Sequence, residues 1–158
     1  MGYYLSAFIG KSRDISCICD SYNKAKLVSL SQDVSLIPLT EDLFDQINEL
    51  DTAESIGSFA YLTVTIELNI LKAIEDKSLA YVEVEYFGGE GGQVGIIWKE
   101  GKRNVELSYG PEVVNIILRA FGVVAERNKD EFDTLSFGRY RHTQDWADSG
   151  DWGQLGIG

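Results

Sequence analysis

Between Tyr81 and Lys99 the chain reads YVEVEYFGGEGGQVGIIWK, two alternating runs on either side of a cluster of glycines. Val82, Val84 and Tyr86 alternate with Glu83 and Glu85, and Val94, Ile96 and Trp98 alternate with smaller or polar residues, which is the period of two expected of strands. The pattern predicts a hairpin whose long turn carries Gly88, Gly89, Gly91 and Gly92 around Glu90, because glycine reaches the positive φ angles that other residues avoid. A second turn at Gly101 and Lys102 leads into Val105 to Tyr109 and extends the hairpin to a three-stranded meander.

The flanking segments supply further strands and the helices. Tyr4 to Ile9 reads as a strand, and Ile15, Ile18, Cys19 and Tyr22 recur at helical spacing, which predicts a helix from Asp14 to about Ala25. Leu27 to Leu30 and Val34 to Leu39 read as two short strands, with Pro38 placing the second at a sheet edge or at its own end. Thr40 is the expected N-cap of a helix over 40–50, with Glu41 and Asp42 in its first turn and Leu43, Phe44, Ile47 and Leu50 facing the core.

Residues 62–77 are ambiguous. Leu62, Val64, Ile66, Leu68 and Ile70 alternate as in a strand, whereas Leu62, Ile66, Ile70, Ala73 and Ile74 form a helical set that ends in LKAIEDK, and a helix is assigned. Pro111 at a first helical position, a stripe of Val113, Val114, Ile117, Leu118 and Phe121, and Gly122 as the stop predict a helix over 111–121. Lys129 to Leu135 reads as a short helical turn closed by Gly138. These elements make an α+β fold, a mainly antiparallel sheet centred on the glycine-loop hairpin with helices packed against it. Residues 1–147 are expected to form a single domain, and 148–158 a glycine-rich extended tail.

Charge narrows the choice of partners. Twenty-five acidic residues against 14 basic ones give a formal charge of −11 over 158 residues, which disfavours nucleic acid and anionic membrane and favours a basic protein. The apolar runs are too short to span a bilayer and no signal core opens the chain, so a soluble cytoplasmic protein is expected. Gly2 and Ser6 match the loose myristoylation pattern, but the same segment reads as the first strand and the match is assigned to chance. On a helix Cys17 and Cys19 point in nearly opposite directions, so they are read as reduced thiols rather than as a disulfide or a chelating pair.

Candidate chemistry is sparse. The glycine cluster fits neither nucleotide-binding spacing, and Glu90 would repel a phosphate, so it is read as a turn. Glu83 and Glu85 share a strand face and could act as an acid/base or metal pair, or simply be solvated. His142, the sole imidazole, lies among Arg139, Tyr140, Arg141, Asp145 and Trp146 and could pair with Asp145, Glu83 or Glu85, but no nucleophile is identifiable. A metal site drawing on Cys17 or Cys19 lacks clustered ligands, so no metal and no cofactor are expected. The preferred reading of the segment is structural: its arginines pair with the acidic surface, His142 bonds a backbone carbonyl and Trp146 anchors the chain against the sheet.

The strongest surface pattern is acidic. Glu41, Asp42, Asp45, Glu49, Asp51 and Glu54 follow one another along the 40–50 helix and beyond with no intervening base.

The runs IPLTEDLFDQI, YVEVEYFGGEGGQ with IIW, and DEFDTLSFGRYRHTQDW together resemble a group of small bacterial proteins of uncharacterised function. The resemblance covers most of the chain and implies a bacterial, single-domain protein, with no activity to carry over. The function expected is that of an acidic intracellular protein-binding module, with an immunity-type protein as the example, that engages a basic partner through Glu41, Asp42, Asp45 and Glu49. Two alternatives remain open: a small enzyme or metal-dependent hydrolase at His142 and the hairpin carboxylates with Asp145, and a small-molecule-binding protein.

Overall fold

Six antiparallel strands are laid out in the order β2-β3-β1-β4-β5-β6, so the N-terminal strand lies beside the hairpin at the centre of the sheet. The computed structural model describes residues 2–49 and 52–149. The strands are β1 (Tyr3–Lys11), β2 (Val28–Ser29), β3 (Val34–Pro38), β4 (Leu79–Phe87), β5 (Glu90–Lys99) and β6 (Lys102–Gly110). The helices are α1 (Ser12–Ser21), α2 (Glu41–Asn48), α3 (Val64–Ile74), α4 (Val113–Ala120), α5 (Glu131–Thr134) and α6 (Thr143–Asp148), with a 3₁₀ turn at Phe137–Arg139. The fold is α+β.

Each sheet face buries its own apolar set. On one face Leu5, Ala7, Ile9, Val82 and Val84 pack with Val113, Val114, Ile117 and Leu118 of α4 and with Phe137 and Trp146. Helix α4 comes close to β5 at Gly95, where a side-chain Cβ would stand 2.7 Å from Val113. On the other face Phe8, Tyr81, Ile96 and Trp98 meet the inward stripes of α1, α2 and α3, among them Ile18, Leu43, Ile47, Ile66 and Ile70.

The hairpin turn is tighter than a four-glycine loop. Phe87 pairs with Glu90, so only Gly88 and Gly89 turn, at φ 62° and 83°, and Glu90, Gly91 and Gly92 already belong to β5. Positive φ at both central residues matches the right-handed twist of the strands it joins. Gly91, at φ 143°, passes so close to β4 that a Cβ there would overlap the Glu85 carbonyl oxygen. The second turn is made by Glu100 and Gly101, at φ 55° and 78°, one residue earlier than the sequence suggests.

The cap chemistry explains the helix limits. Thr40 accepts a hydrogen bond from the Leu43 amide and Thr63 one from the Ile66 amide, so α2 and α3 start where their threonines satisfy open backbone donors. The strand-like alternation in α3 comes from Val64 and Leu68, which are 48% and 56% exposed on its outer side. Pro111 precedes α4 rather than opening it, and Glu112 is the cap. At the other end the Gly122 and Val123 amides bond back to Arg119 and Leu118, a Schellman closure around Gly122 at φ 88°.

Several boundaries differ from expectation. Helix α1 starts at Ser12 and ends at Ser21, and β2 is only two residues long. Pro38 stands at the end of β3, one of the two places expected for it; β3 is an interior strand, but Pro38 lies beyond the reach of β2, so its missing amide costs no ladder bond there. The chain expected to lead into a tail forms α6 instead, with Asp148 as its last residue; residues 150–158 of that tail, like Leu50 and Asp51, lie outside the described residues.

Candidate functional site

The covering helices leave one end of the α2/α3 face of the sheet open. There an open groove of about 780 Å³ is floored by Tyr4 and Ser6 of β1, Glu83 and Glu85 of β4, and Gly92 and Val94 of β5, with Tyr109 of β6. Its walls are the start of α2 (Glu41, Phe44, Asp45), the connection before α3 (Ser58, Ala60, Tyr61) and the start of α6 (Thr143, Gln144).

The strand register arranges the floor in rows. Tyr4 pairs with Glu85 and Glu85 with Gly92, while Ser6 pairs with Glu83 and Glu83 with Val94. The Tyr109 ring lies over Gly92, filling the space a side chain would take. Glu85 thus stands in one cross-sheet row between Tyr4 on one side and the Tyr109 ring on the other. Tyr4, Tyr61 and Tyr109 are 51%, 55% and 63% exposed.

The two hairpin carboxylates are brought together but differ in their surroundings. Glu83 accepts hydrogen bonds from the amides of Ala60, Tyr61 and Leu62 at 2.6, 2.9 and 3.2 Å and from the Tyr81 hydroxyl at 2.8 Å. It thereby clamps the wall that carries Tyr61. Burial, and then the charge of Glu83 beside it, push the Tyr81 hydroxyl well above the usual tyrosine range, which keeps it a donor. Glu85 is exposed and makes no ion pair or side-chain hydrogen bond among the described residues.

The acidic helix divides between groove and outer surface. Glu41 and Asp45, one turn apart, line the groove; Asp42 and Glu49 are exposed but do not. Glu54 is exposed as well, and Asp51 lies outside the described residues. Glu41 and Asp45 are also without an ion pair among the described residues. Four carboxylates line the groove with no lysine, arginine or histidine among the described lining residues.

His142 is not a lining residue. Its ring stacks on Tyr4, with centroids 4.4 Å apart and planes inclined by 25°, and its Nδ1 stands 3.5 Å from Asp145 Oδ2. This contact with a ring and a carboxylate replaces the backbone carbonyl expected from the sequence. The segment is tied to β1 by the Tyr4 amide donating to the Arg141 carbonyl and the Ser6 amide donating to Thr143 Oγ1. Trp146 is fully buried among Phe137 and Tyr140, with the Arg139 guanidinium 5.5 Å from its ring centre.

The cysteines stand apart from this site. Cys17 and Cys19 are half-buried free thiols whose pKa values burial pushes up, and no group of three or more potential metal ligands occurs among the described residues. Among the described residues no helix is long and apolar enough to cross a membrane. No protein-family model, curated protein or solved structure matches the chain.

The tyrosines are what sequence reasoning overlooks in this groove. Tyr4 and Tyr109 sit on predicted strands, where an aromatic residue reads as core, and only the neighbouring strand order turns them into a surface row.

Proposed function

We propose that the protein is a binding module that takes up a basic segment of a partner protein in the acidic groove, as an immunity protein engages a toxin. The observation that carries this reading is the set of carboxylates of Glu41, Asp45 and Glu85, which among the described residues have no ion pair and share a groove lined by no base. A cleft lined by one sign of charge focuses the field and raises the encounter rate with an oppositely charged partner. Asp42 and Glu49 extend that field along the outer side of α2, where exposed charges act mainly on association and are screened by salt. Half-buried thiols without a disulfide fit a protein of the cytoplasm.

The test is capture from a lysate in which candidate partners are expressed, at low and high salt, with wild type and with a Glu41→Lys, Asp45→Lys double variant. A single basic protein, retained by wild type in a salt-sensitive manner and lost by the double variant, supports the reading. Retention of that protein by the variant at undiminished affinity sinks the groove as its site.

A further inference from the structure

The row Tyr4, Glu85, Gly92 with the Tyr109 ring above it says more than that the groove attracts positive charge. It places a carboxylate that has no ion pair among the described residues between two exposed aromatic rings. Directly paired residues on antiparallel strands hold their Cβ atoms about 4.5–5.5 Å apart, so Tyr4 and Glu85 are within reach of one ligand group. Each ring, though exposed, has a contact beneath it. Tyr4 is backed by His142, and Tyr109 rests on the bare backbone of Gly92.

Such a pocket distinguishes between the two basic side chains. A guanidinium is planar, stacks on an aromatic face and offers paired N–H groups to a carboxylate, whereas an ammonium is a compact, strongly hydrated point charge. We infer, resting on the binding reading above, that the partner's segment presents an arginine to this row, its guanidinium stacked on Tyr109 with its N–H groups directed to Glu85. Glu41 and Asp45 on the α2 wall receive further basic residues of the same segment. Glu83 is not a contact for the ligand, since its oxygens already serve four donors.

The experiment uses two short glycine- and serine-based peptides, identical except that one carries two arginines where the other carries two lysines. Each is titrated into the ¹⁵N-labelled full chain at physiological ionic strength, and amide shifts are followed by NMR. The expected result is saturable shifts at Tyr61, Glu85, Gly92 and Tyr109, with the arginine peptide bound about fivefold more tightly. Tyr109→Leu removes the preference and Tyr109→Phe keeps it, while Glu85→Gln, an exposed change that leaves the fold intact, weakens both peptides.

Equal affinity of the two peptides in wild type overturns the arginine assignment and leaves charge-driven capture standing. Shifts confined to Asp42 and Glu49, or none, overturn the groove as the docking site, and lysate capture then decides the wider reading separately. Free arginine bound as tightly as the peptide overturns a protein segment as the occupant.

Discussion

The ring of Tyr109 stands where a side chain at Gly92 would be, so a Cβ on Gly92 would meet Cε1 and Cζ of that ring. The ring is the far end of a flexible, 63% exposed side chain and can swing away. Gly92→Ala is therefore expected to change stability by less than about 1 kcal/mol while reducing binding of the arginine peptide severalfold. Gly91 is different, because its Cβ would overlap backbone at φ 143°. Gly91→Ala should cost upwards of about 2 kcal/mol. Urea unfolding of both variants with the peptide titration of Gly92→Ala checks the contrast; equal destabilisation at both positions would contradict it.

Glu83 and Glu85 are two residues apart on one strand face, yet their removal should have opposite signatures. Glu83→Gln turns one acceptor oxygen into a donor facing backbone N–H groups and is expected to cost about 2–3 kcal/mol. Faster hydrogen exchange would accompany it at Ala60, which bonds to Oε1, or at Tyr61 and Leu62, which bond to Oε2, according to which oxygen the NH₂ group replaces. Glu85→Gln should leave stability within about 0.5 kcal/mol. Unchanged exchange at the three amides in Glu83→Gln would show that the clamp is not what holds that wall.

Local patterns carry most of the fold. Alternation at Val82 to Tyr86, the threonine caps and the glycine stop at Gly122 each act within a few residues, and each is legible in the sequence. Helix α6 is not, because its six residues have too little periodicity and it is held by Thr143 on β1 and by burial of Trp146, both long-range contacts. The groove is harder still. Which strand lies beside β4 decides whether Tyr4 faces Glu85, and no local spacing encodes that pairing. The acidic residues of α2 were visible as a run, but not that Glu41 and Asp45 turn toward the hairpin while Asp42 and Glu49 turn away from the groove.

Glu75 ends α3 at φ 55° and ψ −118°, a conformation nearly reserved for glycine. The Glu75 backbone amide still bonds to Leu71, so the turn is maintained against a local steric penalty. Glu75→Gly is expected to stabilise the chain by about 1 kcal/mol, the relieved strain exceeding the entropy that glycine adds to the unfolded state. A raised urea midpoint at unchanged slope is the outcome that agrees; a lowered midpoint would mean the Glu75 side chain contributes more than its backbone costs.

Glu67 couples the inner end of this fold to pH. Its Oε2 accepts from the buried Trp98 indole at 2.8 Å and from Arg103 Nε at 2.7 Å, and its Oε1 accepts from Arg103 Nη2 at 2.8 Å. Burial opposes the charge on Glu67, but the hydrogen bonds from Arg103 and Trp98, with Arg103's charge, outweigh it and hold the carboxyl below the ordinary glutamate value. A folded-state pKa below the unfolded one stabilises the fold fully above the unfolded value, and that stabilisation disappears as pH falls through the folded value. The loss should therefore begin near pH 4.5, the ordinary value, and be complete below the depressed one. Glu67→Ala leaves the Trp98 N–H buried and unpaired and should cost about 1–3 kcal/mol at neutral pH. In the Trp98→Phe background, where the donor is gone, Glu67→Ala should cost less than it does in wild type, the cavity left by the smaller ring being common to both members of that pair. The gap between wild type and Glu67→Gln should narrow as pH is lowered through the same window, because a protonated glutamate offers the arginine no more charge than an amide does. A gap that stays constant from neutral pH to below that window would place the stabilisation in packing around Trp98 rather than in the ion pair.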